Sequence, residues 1–559
     1  MVVEESVTMS AAPVTEARDR SRSPVAAKSN GAAAATATPF LKGVGVQFFH
    51  SADPIALRGL YVCPTPSLGQ GPRFLQSHGW LDGVLCEDFH PEAFDTTNKA
   101  TWPVLLPRQS LNFSVRTSGK VMKPQVPLRV PVQCLRLPKA EPPALSIVLV
   151  RWGGEHAVCG PNSEDNANDG DWGTYGAPPC DEYLSAFVRE GVMKHPCLVD
   201  KVEGHTKFEI FNLFVKNSKD VAAIKDQAHF YAACMAGTRK MGCWMLWPAE
   251  WEDFSGCDYS AYVDRRAMFA AMRACEAAGI RTGFPHPADQ LDMLTSKSWM
   301  ATLALQPQAR LPAATMVSKN TVMADAKMAA RQALSVLNYI RAANPHPAHG
   351  EGGSCSSASP SEINKETVKK GVVKLGWSWE ARYVAIFHDE EDLAQQLTQM
   401  LTHSGCWASS CIVQEWVDFE FEMRLYFLPP LDWDPSKELK PTRVECNAWS
   451  GSMENGQRRS FHKLTRESIL ERYWENDAEA LDSAQAQATK IAQFLLRWMR
   501  LVDAQPVPML RLDFMLHRCG PGRARVFFGE FCEMGACCLG WKEGPPTIWK
   551  SALDHALLL

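Results

Sequence analysis

The chain lacks the cysteine spacing of a zinc ribbon. Its 559 residues include 18 Cys, yet no CxxC pair occurs, and the nearest clusters are Cys406/Cys411 and Cys532/Cys537/Cys538. A structural zinc site needs paired thiolates at tight spacing, so none is expected. The basic and then apolar pattern of a secretory leader is also missing from the first residues. Disulfides are therefore not expected, and the expected location is reduced and cytoplasmic. No run of about 18 apolar residues occurs, which argues against a membrane span. An excess of one charge is absent too. With 58 Lys and Arg against 62 Asp and Glu, the net charge is −4, so a nucleic-acid partner is not expected. No internal repeat is visible.

What is present is a chain long enough for three or four units at roughly 100–200 residues each. Residues 1–39 are rich in Ala, Ser and Thr, with Arg-Ser-Arg-Ser-Pro at 20–24. They hold too little apolar surface to offset chain entropy and read as a disordered tail. Residues 40–235 carry short apolar runs, such as Leu145 to Val150, between Pro and Gly, and read as a mixed α/β or β-rich domain. In residues 236–310 a strand (Gly242 to Trp247), a helix (Asp264 to Ala278) and a second strand (Ile280 to Phe284) predict a small open α/β layer. Trp244, Trp247 and Trp251 read as core. Residues 311–559 mix helices and strands, with a flexible loop at 344–366 that holds His346 and His349. Asp325 to Ala343 and Glu390 to Leu401 predict helices. Asp482 to Val502 predicts an amphipathic helix with Ile491, Phe494, Leu495, Trp498 and Leu501 on one stripe. The fold class is α/β (α+β).

Three segments carry chemistry. Cys411 to Leu428 predicts one strand. Val417, Phe419, Phe421, Met423, Leu425 and Phe427 fall on one face, with Asp418, Glu420, Glu422 and Arg424 on the other. Like charges in a row repel, so a bound cation or polar ligand relieves this face, and so does solvent. The second segment, Leu510 to His517, sets Arg511 and Asp513 on one face. The third, Val526 to Glu533, follows Gly520-Pro521-Gly522, which predicts a hairpin. A turn there brings Asp513 opposite residues 528–530, with Glu533 just beyond. Two or three converging carboxylates suit Mg²⁺, which takes one or two of them and completes its shell with water and phosphate. A structural Arg–Asp–Glu network is the alternative.

Arg511-Leu512-Asp513-Phe514 and Glu530-Phe531-Cys532 resemble the metal-binding hairpin of the ATP-grasp superfamily, commonly R-x-D…E-x-N. Gln414-Glu415-Trp416-Val417 resembles its hinge strand, Val372-Val373-Lys374 its central phosphate-binding strand, and Ser296-Lys297 its lead-in. The motifs occur in family order over about residues 290–555. The resemblance implies an ATP-grasp fold in the C-terminal half. It also implies ATP on Lys297, Lys374, Gln414, Glu415, Val417 and Glu422, Mg²⁺ on Asp513, Glu530 and Glu533, and Arg511 and Arg424 at the transferred phosphoryl group. Cys532 stands where the family has Asn, and the loop Leu375-Gly376-Trp377-Ser378 is not glycine-rich. Lys374 to Ser378 and Glu422 to Phe427 resemble the cell-division-cycle branch that helps assemble translation initiation factor two. The resemblance implies an ATP-dependent ligase acting on an unknown small-molecule substrate. The alternatives are a non-catalytic ATP-binding assembly factor for a protein partner and a small-molecule kinase. Asn447, Arg458, Arg459 and Lys463 are expected to separate these readings by facing either a substrate pocket or solvent.

Overall fold

Strands buried on both faces read as near-continuous apolar runs, and two such runs, at 145–152 and 208–215, form the centre of the largest sheet. The computed structural model describes residues 45–51, 72–85, 101–105, 128–131, 135–136, 142–152, 208–215, 217–251, 262–344, 367–377, 383–450, 460–503, 507–532, 541 and 543–558. The tail at 1–39, the loop at 345–366 with both histidines, Glu533, Arg458 and Arg459 lie outside the described residues.

The first described strands are β1 (Gly45–Ser51), β2 (Arg73–Leu85), β3 (Thr101–Leu105), β4 (Leu128–Pro131), β5 (Leu135–Arg136), β6 (Leu145–Trp152) and β7 (Phe208–Val215). Helix α1 (Ser218–Cys234) leads to β8 (Arg239–Met245), β9 (Trp247–Ala249), β10 (Tyr262–Asp264), α2 (Arg265–Ala277) and β11 (Arg281–Phe284). All but β9 and β10 join one nine-stranded sheet in the order β11-β8-β6-β7-β2-β1-β5, with β3 on β2 and β4 on β3. The four strands β11, β8, β6 and β7 run parallel, and β2 turns antiparallel against β7. The expected strand–helix–strand layer is present as β8–α2–β11, and its sheet continues without a break into β6 and β7, across residue 235. Trp244, Trp247 and Trp251 are buried.

Helix α1 was not anticipated, though its signal is in the sequence. Asn217 caps it by accepting from the Lys219 and Asp220 backbone N–H groups at 2.9 and 3.0 Å. Val221, Ile224, Ala228 and Tyr231 bury one helical face.

Helices α3 (Ala288–Ser296) and α4 (Trp299–Leu303) lead to β12 (Ala314–Ser318), α5 (Lys319–Ala324), α6 (Ala326–Ala343), β13 (Gly371–Lys374), β14 (Val384–Phe387), α7 (Glu390–Thr402) and β15 (Ser410–Glu415). The strands pair antiparallel in the order β12-β15-β13-β14. Asp325 and Asp389 cap α6 and α7 through the Met328 and Asp392 N–H groups, at 2.9 and 2.8 Å, the usual service of a short acceptor at a helix start.

A third sheet holds β16 (Phe421–Phe427), β17 (Arg443–Ser450) and β18 (Ser460–Leu464). After α8 (Arg466–Arg472) and α9 (Ala478–Val502) it gains β19 (Leu510–Gly520) and β20 (Arg523–Cys532). Its order is β18-β17-β16-β19-β20, antiparallel throughout. Helix α9 buries Ile491 and Leu495 as expected, but Leu501 is 86% exposed because the helix end runs past the core. Helix α10 (Gly544–Leu558) returns to the first sheet, where Trp549 stacks on Phe284 at 5.5 Å.

One expectation is corrected here. Cys411 to Leu428 is not a single strand. It divides into β15 and β16 in two different sheets, and 416–420 is the crossover between them. Asp418 and Glu420 therefore do not share a strand face with Glu422 and Arg424. Glu420 is drawn away by Trp474 Nε1, which donates to its carboxylate, and by the Arg518 N–H at 3.2 Å. No helix among the described residues is long and apolar enough to cross a membrane. The eight cysteines among the described residues are free thiols.

Candidate functional site

The third sheet builds a charged lattice on one of its faces. Alternation along β16 puts Glu422, Arg424 and Tyr426 on that face, and strand pairing sets their neighbours. Glu445, Arg424, Asp513 and Glu530 make one row across four strands. Asn447, Glu422 and Met515 make the row on one side, and Arg443, Tyr426, Arg511 and Cys532 the row on the other. The expected hairpin of β19 and β20 is present, with Gly522 at φ 67 in its turn, and it sets Asp513 directly opposite Glu530.

The middle of this lattice is buried. Arg424, Arg511 and Asp513 are each 4% exposed. Arg511 Nε and Nη2 donate to the two oxygens of Asp513 at 2.8 and 2.9 Å, and Arg424 Nε lies 3.6 Å from Asp513 Oδ2. Arg424 also reaches Glu422 at 3.5 Å. Burial opposes the charge of both guanidinium groups, but Asp513 overrides it, and Arg511 is held well above its ordinary pKa. Burial pushes the Glu445 carboxyl up, against a hydrogen bond from the Tyr426 hydroxyl at 3.1 Å and the nearby arginines. Sequence reasoning missed Glu445 and Tyr426. The alternation Arg443-Val444-Glu445-Cys446-Asn447 was the signal for the former, and only the pairing register reveals what it faces.

The small sheet supplies one lysine and the end of α3 another. Lys374 ends β13 half-buried, and its Nζ donates to Gln414 Oε1 on the neighbouring β15 at 2.9 Å. Burial, with Lys297 close by, pushes Lys374 down to about 8, and Glu530 pulls the other way. Three segments distant in sequence thus bring Lys297, Lys374 and Glu530 within electrostatic reach. Gly376 makes the approach close, since a Cβ there would lie 2.2 Å from Ser296 O. Lys297 itself takes left-handed backbone, φ 55, at the end of α3.

The hinge residues are placed differently from one another. Gln414 points its side chain at Lys374, and its Nε2 is buried with no hydrogen-bond partner among the described residues. Glu415 turns its carboxylate to the Ala313 N–H at 2.9 Å and towards Arg341 at 3.9 Å. Val417 is half-buried in the crossover. Asn447 is fully buried, and neither atom of its amide has a hydrogen-bond partner among the described residues, whereas its strand partner Lys463 is exposed. In the loop after β13, Trp377 lies under the Arg265 guanidinium at 3.9 Å.

The donor set fits a hard cation that also holds phosphate. Mg²⁺ needs only one or two protein carboxylates. Asp513 and Glu530 supply that number, and among the described residues nothing hydrogen-bonds the half-buried Glu530 carboxylate. Asp513 already serves Arg511, but each of its oxygens keeps a second lone pair. Among the described residues no three His, Cys, Asp or Glu side chains gather as a metal cage, as a closed structural zinc site would require.

No family model and no curated relative matches the chain. Among solved structures it is similar to a D-cycloserine synthetase, at 14% identity and TM-score 0.37, over 74% of this chain and 99% of that one. It is similar to a D-alanine–D-alanine ligase from Bacillus anthracis complexed with ATP, at 10% identity and TM-score 0.37, over 74% and 98%. It is also similar to a D-Ala:D-Ser ligase from Enterococcus faecalis, at 13% identity and TM-score 0.37, over 74% and 98%. At these values the likeness assigns no reaction to this chain.

Proposed function

We propose that this chain is an ATP-grasp protein that binds Mg²⁺–ATP between its four-stranded and five-stranded sheets and acts as an ATP-dependent ligase. The observation that carries this reading is the meeting of Lys297, Lys374 and Glu530, with Asp513 paired to Glu530. Cations from the end of α3 and from the four-stranded sheet, and carboxylates from the five-stranded sheet, match what a triphosphate and its metal require. In this reading the crossover at 416–420 is the hinge, and residues 311–559 form the ATP-grasp unit behind the lead-in Lys297.

Lys297 and Lys374 neutralise the phosphates. Gln414 orients the Lys374 ammonium and offers its own buried N–H group. Backbone at Glu415 and Val417 lies beside the base, and Glu422 lies near the ribose. Asp513 and Glu530 would hold Mg²⁺, which would offset the charge of the phosphates. Arg424 and Arg511 set two buried guanidinium groups at the phosphoryl group as it moves to a substrate carboxylate. That transfer yields ADP and an acyl phosphate. An amine or thiol then attacks the acyl carbon, and phosphate leaves. Holding the reactants in place supplies much of the rate. Asn447, buried beside Glu422, favours an enclosed polar pocket, whereas the exposed Lys463 favours a solvent-facing surface.

The test is phosphate release from Mg²⁺–ATP across a pool of small carboxylates, amines and thiols, comparing wild type with Glu530→Gln. Release that needs both a carboxylate and a nucleophile, and that is lost in the variant, supports the ligase. A stable phosphorylated product without a second nucleophile points to a kinase. Tight ATP binding with no turnover under any condition sinks the ligase in favour of an assembly factor, including the branch that serves translation initiation factor two.

A further inference from the structure

A cavity of about 380 Å³ lies at the N-terminal ends of β8 and β11, walled also by α3, the 507–508 segment and α10. None of Lys297, Lys374, Asp513 and Glu530 lines it. The other end of β8 leads to Glu250 and Trp251, which meet the small sheet through the Trp407 N–H at 3.0 Å and a bridge to Cys406. Seven strand residues separate the two ends, about 20 Å of extended chain.

The lining is apolar with a few polar groups, the usual make-up of a small-molecule site. Its charge is unbalanced. Arg239 and Arg281 line it against a single carboxylate, Asp503, while the Lys240 ammonium donates to the Ala232 carbonyl. The half-buried Arg281 forms no ion pair among the described residues, and burial lowers its pKa while Asp503 and Glu276 only partly compensate. Two further groups stand out. Thr282 and Gln290 are 2% and 4% exposed, and the Thr282 hydroxyl and both amide atoms of Gln290 have no hydrogen-bond partner among the described residues. Buried polar groups in this condition are costly, and a ligand that bonds them recovers the loss.

We propose that this cavity binds a small organic anion. Its carboxylate or phosphate head meets Arg281 and Arg239, a donor–acceptor group such as an amide meets Gln290 and Thr282, and its apolar body lies along Met241, Val507 and Ala552. The pocket is separate from the ATP site, so it holds a ligand while ATP is bound. Val507 and Pro508 lead directly into β19, which carries Arg511 and Asp513, so a ligand here rests on the segment that enters the charged lattice.

The test is calorimetric titration of the full chain, with and without saturating ATP, using N-acetyl-leucine, isopentyl phosphate, N-acetyl-leucinamide and inorganic phosphate. At least one of the two organic anions is expected to bind, and which one identifies the head. Arg281→Met is expected to weaken it at least tenfold, with ATP affinity unchanged, and Gln290→Leu to weaken N-acetyl-leucine. Arg239→Met, on the exposed rim, is expected to weaken the same ligand severalfold, and it decides the matter if Arg281→Met does not fold. The proposal is overturned if neither organic anion binds, if the uncharged amide or inorganic phosphate binds as tightly, or if the arginine variants leave affinity unchanged.

Discussion

Arg424 and Asp513 face each other on adjacent antiparallel strands, with Arg424 Nε 3.6 Å from Asp513 Oδ2, and both are almost fully buried. Asp513 is also gripped by Arg511 through both oxygens. One carboxylate therefore sits between two buried guanidinium groups, with Glu422 as a second counter-charge 3.5 Å from Arg424, and it is the same carboxylate that pairs with Glu530 across the strands.

Removing that carboxylate leaves both arginines buried without it. Breaking a buried ion pair from one side costs about 3–5 kcal/mol. Asp513→Asn is expected to lower unfolding stability by about that amount in urea denaturation. A loss below about 1 kcal/mol would mean that the guanidinium groups find water.

Glu530 has the opposite character. It is half-buried and does not hold the fold through hydrogen bonds among the described residues. Glu530→Gln is expected to keep the melting temperature within a few degrees while abolishing the Mg²⁺ dependence of ATP binding. Calorimetry with and without Mg²⁺ reads this directly, and an unchanged metal dependence would remove Glu530 from the metal site.

Lys374 gives a pH signature. Burial and Lys297 hold it at about 8, against an ordinary 10.5. Between these values the unfolded chain binds the extra proton, so this group makes folding more favourable as pH rises through the window. The stability of wild type relative to Lys374→Met is expected to climb from pH 8 to 10.5. ATP favours the charged lysine and flattens the climb. A relative stability that is flat without nucleotide would show a solvated lysine.

Gly376 tests the approach of the loop after Lys374 to the end of α3. A Cβ at this position meets Ser296 O at 2.2 Å, so the loop after Lys374 must move away from Lys297. Overpacking of this kind costs about 1–3 kcal/mol. Gly376→Ala is expected to show that loss together with weaker ATP binding, and wild-type affinity would separate the loop from the site.

Much of the site was legible because it is local. The turn at Gly520-Pro521-Gly522 lies only a few residues from either strand, and period-two alternation fixes which side chains share a face. Those two facts put Asp513 opposite residues 528–530, and the register shifts along the ladder select Glu530. Helix positions followed from apolar spacing. The crossover was not legible, because Val417, Asp418, Phe419 and Glu420 keep alternating after the ladder ends. What ends it is tertiary: Trp474 and the Arg518 N–H take up Glu420. The Arg511–Asp513–Arg424 cluster and the meeting of Lys297 and Lys374 with Glu530 likewise depend on strands pairing across tens to hundreds of residues. Residue type and spacing determined which charges this protein owns and, within an unbroken strand such as β16, on which face each one lies. Only the packing of one sheet against another decided which of them meet, because that depends on long-range register and shared burial, which no local pattern encodes.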